Sequence, residues 1–397
     1  MLTYFVVILI VLFGFCGLAI DMGRVELRTL QLQAIADASA VDAATELQRG
    51  TSTWQNTVAT DLANGEYLNN IPATATSTVQ QTAVSGPYLN DYSAVQTSVQ
   101  QTMSTIFLGL VSSAHSSINL SVHAVAEIPP CTYFFANPAV IGTTAGVYEA
   151  SAGLNPSCPV YSAAGVDIDG FGHINGGQVK TAGPASSTVL SGWIAPNPIY
   201  SAPVLGDPLA WITAPTFVSC NHTGASYTVS TTIFPGTYCG GLTISNGTVT
   251  MSPGLYIITG GVNITGATIQ GTGVTMYLTK GGGSGFGTFS LQYSTMNVSA
   301  PTDSSAGGIP GILLFGDRTW SGGNEDFIFN GASYYGDGII YATHTGVYDW
   351  SCNMYAPNYF NIVAANMYSF GSSVNPSSNY SNISGGSPLR TVITLVQ

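Results

Sequence analysis

Asp167 and Asp169, in the stretch VDIDGFG, stand two residues apart, the spacing that puts two carboxylates on one face of a strand and could let them hold calcium. Acids beside glycine in turns are a commoner origin of such a pair. Glu325 and Asp326, with Asp337 and Asp349 farther on, are the other acids that could meet in one cleft, as glycoside hydrolysis requires. The first two lie in SGGNEDF, a loop in which solvated acids are ordinary. A polysaccharide lyase would need a basic residue to take the substrate proton, yet beyond residue 50 the basic residues are Lys180, Lys280, Arg318 and Arg390. His173 and His344 have no partner by sequence, and neither a G-x-S-x-G elbow nor a P-loop occurs. The expectation is a chain with no catalytic residue, no cofactor and no metal site. Trp320 and Trp350, in RTWSGGNEDF and YDWSCNMYAPNYF, instead offer aromatic faces to surface glycans, although core packing of aromatic stacks accounts for such residues equally well.

The elements that would position these residues begin with an uncharged apolar run, LTYFVVILIVLFGFCGLAI, at 2–20. As a helix it would be about 28 Å long, against roughly 30 Å of bilayer hydrocarbon, so a transmembrane segment is expected. A cleaved signal peptide is the rival, but no A-x-A site follows. No basic residue precedes the run and Arg24 and Arg28 follow it, so the positive-inside count points the wrong way for export, as a missing basic leader would explain. Only 7% of the 397 residues are charged while 45% are hydrophobic, which excludes disorder and removes the positive field that nucleic acid requires.

Past the run, Leu27, Leu30, Ala34, Ala38, Val41 and Ala44 recur at helical steps and predict an apolar seam, while Ala36, Ala40 and Ala44 would permit close backbone approach. Residues 51–76 read as a partly helical connector. Alternation at 77–84, 93–103 and 116–128 predicts strands of a small antiparallel sheet, with STIFLGLV as a short helix between the last two, the build of a pilin-like module. The run and its continuation LAIDMGRVELRTLQLQAIADASAVDAA resemble the amino-terminal segment of the Tad/Flp pilus-assembly TadG-like family. The matching positions are Asp21, Gly23, Arg24, Leu32, Gln33, Ala36, Asp37 and Ala38. The resemblance implies a bacterial inner-membrane protein with most of its chain outside the cytoplasm, partnered by the membrane and by other pilus components.

The rest reads as a repeat. GLTISNGTVTMSPGLYIITGG at 241–261 and VNITGATIQGTGVTMYLTKG at 262–281 align turn for turn, three short β runs each, which is the signature of stacked parallel coils. Closing runs recur at 312–315 and 339–341, with an early coil at 165–179 and a last one at 361–373. In this register Ile257 and Met276 share an inward ladder, and Thr259 and Asn246 face solvent or a turn. An antiparallel sandwich is the alternative fold. Of the five cysteines in the body, nearest neighbours would pair Cys131 with Cys158 and Cys220 with Cys239, with at least one thiol left over or paired between chains, though spacing does not fix connectivity and free thiols stay open.

The fold class is therefore α+β: a transmembrane and amphipathic helix with a small pilin-like antiparallel sheet, then a mostly-β, right-handed parallel β-helix-like domain. The boundaries are a transmembrane segment at 1–20, a pilin-like module at 21–128, a linker at 129–164 and the β-helix-like domain at 165–390. The function expected is a non-enzymatic, membrane-anchored minor pilin or pilus-assembly protein acting in surface adherence. A membrane-tethered β-helix polysaccharide enzyme and a pilus-independent adhesin are the alternatives.

Overall fold

A computed structural model describes residues 2–48, 53–68, 80–81, 91–111, 116–135, 145–185, 189–320, 327–389 and 393–396. The chain forms two compact units, one of residues 1–47, 51–128 and 392–397 and the other of residues 48–50 and 129–391.

In the first unit, helix α1 runs unbroken over Leu2–Gln48, followed by α2 at Trp54–Asn64 and the single turn α3 at Leu108–Val111. Strands Ala94–Ser104 and Ser117–Glu127 pair antiparallel over their full length, with Gln80–Gln81 on one edge and Thr394–Leu395 on the other. The helix packs through Leu32, Ile35, Ala36, Ala40, Ala43 and Ala44 onto Val95, Val99, Val122, Ala124 and Ala126 of the hairpin and Trp54, Val58 and Leu62 of α2. That corrects the expected seam. Leu27, Leu30, Ala34 and Ala38 lie on the exposed side of α1, because the small side chains at 36, 40 and 43 let the sheet approach the other side closely. Among the described residues no helix is long and apolar enough to cross a membrane.

The second unit is a parallel β-solenoid. Strands Gly254–Thr259 and Val274–Thr279 pair in register with their neighbours in the repeat, as do Val262–Thr265 with Phe289–Gln292 and Thr268–Gly271 with Thr295–Val298. Inward side chains stack into apolar ladders such as Leu242, Val262, Phe289, Phe327, Val347, Met367, Val147 and Val166. The phase of one face differs from expectation by one residue. Tyr256 pairs with Met276 and Ile257 with Tyr277, so Tyr256 and Ile258 point inward while Ile257 points outward, and Thr259 is fully buried. The outward column of Ile257, Tyr277, Phe315, Tyr341, Val363, Tyr133 and Tyr161 is roofed by Leu205, Leu209, Ile212, Tyr380, Ile383 and Leu389. This second apolar layer is why both residue parities are hydrophobic there.

Stacking order is not chain order. The coil that ends the repeat, built on Tyr359–Phe370 and Ser373–Val374, pairs in parallel with Thr132–Phe134, Ala145–Ala150 and Gly153–Leu154. On these stack Val160–Ser162, Gly165–Asp169 and His173–Asn175, then Val179–Thr181, Val189–Leu190 and Trp193–Ala195. Residues 129–164, expected as a linker, therefore supply a coil, and the coil at 361–373 is interior to the stack. The strand at His222–Tyr227 starts the far end, so residues 196–221 must run back along the solenoid. Arg318 fixes this return segment. Its Nη1 and Nη2 donate to the carbonyls of Ile212 and Leu209 at 2.7 and 2.6 Å, and its Nε donates to the Tyr341 hydroxyl, which in turn donates to Asp207. Disulfides join Cys131 to Cys158 and Cys220 to Cys239, while Cys352 is a buried thiol and Cys16 an exposed one.

Candidate functional site

Asp21 of the motif is buried, and its carboxylate accepts the backbone N–H groups of Ile106, Phe107 and Leu108 at 2.9, 2.8 and 2.8 Å. One helical turn earlier, Gly17 lies under Phe107, whose Cγ, Cδ1 and Cβ come within 2.6 to 2.8 Å of where a Cβ would stand. Gly17 and Asp21 thus form an i, i+4 pair that clamps the connection between the two hairpin strands onto α1. Burial pushes the Asp21 pKa up, but the three N–H groups and the Arg24 guanidinium, 3.7 Å away, outweigh it and hold the carboxyl below its ordinary value. Of the other motif residues, Leu32 and Ala36 are core, and Gln33 bridges Asp37 and the carbonyl of His123. Gly23 and Ala38 are exposed, with open space around Gly23.

On the solenoid, Asp167 and Asp169 do share an outward face. Asp169 accepts the hydroxyls of Ser191 at 2.9 Å and Tyr148 at 3.4 Å, and the Asp167 pKa is raised by burial and by the charge of Asp169. Asp337 is committed to the turn at 358–359, accepting from the backbone and side chain of Asn358 and the backbone of Tyr359. Asp349 points into the core, so Asp337 and Asp349 share no cleft, and Glu325 and Asp326 lie outside the described residues. His173 stacks on Trp193 at 4.9 Å. Among the described residues no group of three or more His, Cys, Asp or Glu is placed to hold a metal.

The two tryptophans part company. Trp320 is 6% exposed and stacks on Phe286 at 4.9 Å, so it is core rather than surface. Trp350 is 60% exposed and stacks on Phe370 at 5.0 Å. Beside that pair run Tyr348, Tyr368 and Tyr148 on successive coils, with ring centroids 5.1 and 5.3 Å apart. The sequence carries a signal for this ladder that spacing arguments passed over: YDW at 348–350, YSF at 368–370 and YEA at 148–150 put an outward Tyr before an inward polar residue each time. Those inward residues, Asp349, Ser369 and Glu149, interrupt an apolar ladder between Phe329 and Ile168. All three are fully buried. Ser369 donates to Asp349 at 3.0 Å, and among the described residues neither Glu149 oxygen meets a donor in hydrogen-bond geometry.

The second unit is thus a β-solenoid with an outward aromatic ladder, and the clamp belongs to the helix-and-hairpin unit. Residues 1–46 match the Tad family, described as Flp pilus-assembly TadE/G-like, which is the family that the motif resembles. The match ties the chain to a pilus-related role in the cell envelope. No curated protein and no solved structure matches the chain.

Proposed function

We propose that this chain is a membrane-anchored, extracytoplasmic component of a Tad/Flp-type pilus system, a minor pilin or assembly protein that serves surface adherence without catalysis. The observation that carries this is the two-sidedness of α1. One side is consumed by the hairpin and α2, while Leu27 and Leu30, 60% and 65% exposed, continue the apolar surface of residues 2–20 along the other. A hydrophobic stripe left open on a long helix is what a neighbouring helix of an assembly would cover. The anchor itself rests on the uncharged run 2–20, in which the side chains at 2, 3, 6, 7 and 10 lie outside the described residues. The two disulfides fit an oxidising compartment.

The test is site-specific crosslinking in intact cells that make the pilus. Leu27→Cys and Leu30→Cys should crosslink to other pilus proteins in the membrane fraction, whereas Ala40→Cys, on the packed side, should not. Recovery of the chain in the soluble fraction without crosslinks at either exposed position would sink the proposal.

A further inference from the structure

One outer face of the solenoid carries a groove of about 440 Å³, lined by Thr243, Asn263, Ser290, Gln292 and Ile328 and by glycine pairs at 240–241 and 260–261. Its lining has hydroxyls, amides and backbone but no charged side chain. The register runs from this groove straight to the aromatic ladder. Ser290 is followed on the next coils by Ile328 and Tyr348, and Gln292 by Asn330 and Trp350. Phe370 covers one face of the Trp350 indole, with the rings 24° from parallel. On the opposite side the neighbouring strand presents Asn330, which lies between Trp350 and Gln292 of the groove, and the indole is left 60% exposed. A tryptophan this exposed forfeits burial that its large apolar surface would otherwise gain.

A floor of neutral donors and acceptors that leads to an exposed indole has the chemistry of a pyranose site. Sugar hydroxyls exchange hydrogen bonds with amides and hydroxyls, and the C–H face of the ring stacks on the aromatic. Lack of lining charge disfavours uronate, sulfate or phosphate. Neighbouring strands are about 4.8 Å apart, close to the length of one extended pyranose unit, so successive coils offer successive sugars equivalent contacts. We propose that this face binds a neutral saccharide chain lying across the strands, from Thr243 and Asn263 to Trp350. The biological use of the site rests on the adherence reading above; binding itself does not.

The experiment is titration calorimetry of the full chain in a detergent without a sugar headgroup, against cellohexaose, maltohexaose and chitohexaose, with hexagalacturonate as the acidic comparison. At least one neutral hexamer should bind saturably. Trp350→Ala should weaken it tenfold or more, Trp350→Phe should restore part of the loss, and Gln292→Ala and Asn263→Ala should each weaken it several-fold. Thermal unfolding of each variant shows whether it is folded, and should Trp350→Ala unfold, Trp350→Phe and Gln292→Ala carry the test. No binding of any neutral hexamer at millimolar concentration, tighter binding of hexagalacturonate, or indifference of binding to Trp350 and Gln292 overturns the inference. Saccharide binding lost in Trp350→Ala while cells adhere as before leaves the site standing and removes the adherence reading instead.

Discussion

Two buried carboxyls in the solenoid core, at Asp349 and Glu149, set the behaviour of that unit with pH. Burial is the largest influence on both. It pushes the Asp349 pKa up to about 7 against the pull of hydrogen bonds from Ser369 and Ser372, and it raises Glu149 well above the ordinary carboxylate range with help from the charge of Asp349. At these two sites the folded chain therefore holds protons that the unfolded chain releases near pH 4, so their contribution to stability is fully present below that pH and is lost as pH rises toward 7 and beyond, against the opposite and smaller trend of the partly exposed Asp317. Each retained proton costs about 1.4 kcal/mol per pH unit in that window. The expected result is an unfolding temperature that drops between pH 4 and 7, with a slope that Glu149→Gln together with Asp349→Asn largely abolishes. A flat profile for the parent chain would contradict the buried pair. Asp21 has the opposite sign, since its lowered pKa makes its contribution fade on acidification, so hydrogen exchange should follow the two units separately. Asp349 was legible as an acid in the sequence but not as an interior one. In YDW the alternation fits either parity, and only the coils on each side show that Asp349 continues the ladder of Phe329.

The coil is the element that carries stability. Ile258 stands inside the solenoid with Leu278 beside it on the next coil, whereas Ile257 lies in the outer layer under the return segment and is only partly buried. Ile258→Asp should bury an unpaired carboxylate and lose several kcal/mol, and Ile257→Asp should lose distinctly less. Asn246 is exposed with φ of +65°, a left-handed conformation that asparagine tolerates and β-branched residues resist. Asn246→Gly should be near neutral and Asn246→Val should cost about 1–2 kcal/mol. Circular-dichroism melting of the full chain ranks the four variants, and equal losses at 257 and 258 would refute the phase. The repeat length and turns of these coils were readable because glycine and asparagine mark each corner. The inward phase was not, because the roof formed by residues 205–214 and 380–389 makes both sides of the strand apolar.

At the scale of the molecule, the coils of residues 132–195 lie against the coil of 359–374. Tyr148 and Tyr368 are direct neighbours in parallel strands, a separation that a disulfide can span. Oxidised Tyr148→Cys/Tyr368→Cys protein should yield a peptide joining these positions by mass spectrometry, and its absence in folded protein would refute the stacking order. What the sequence determined by itself was whatever is written within one or two coils or one helical turn: the helix and hairpin of the first unit, the parallel repeat at 241–281 and the motif shared with the TadE/G-like family, while the cysteine spacing offered the pairs Cys131–Cys158 and Cys220–Cys239 without fixing them. Tertiary structure alone decided which side of α1 is covered, which parity of Gly254–Thr259 faces inward, and where residues 132–195 join the stack. The physical reason is that a parallel coil offers the same unpaired backbone donors and acceptors on its upper and lower edges, so local sequence permits addition at either end. Selection between them comes from side chains far apart in the chain, with Ser369 set between Asp349 and Glu149 and Tyr368 between Tyr348 and Tyr148.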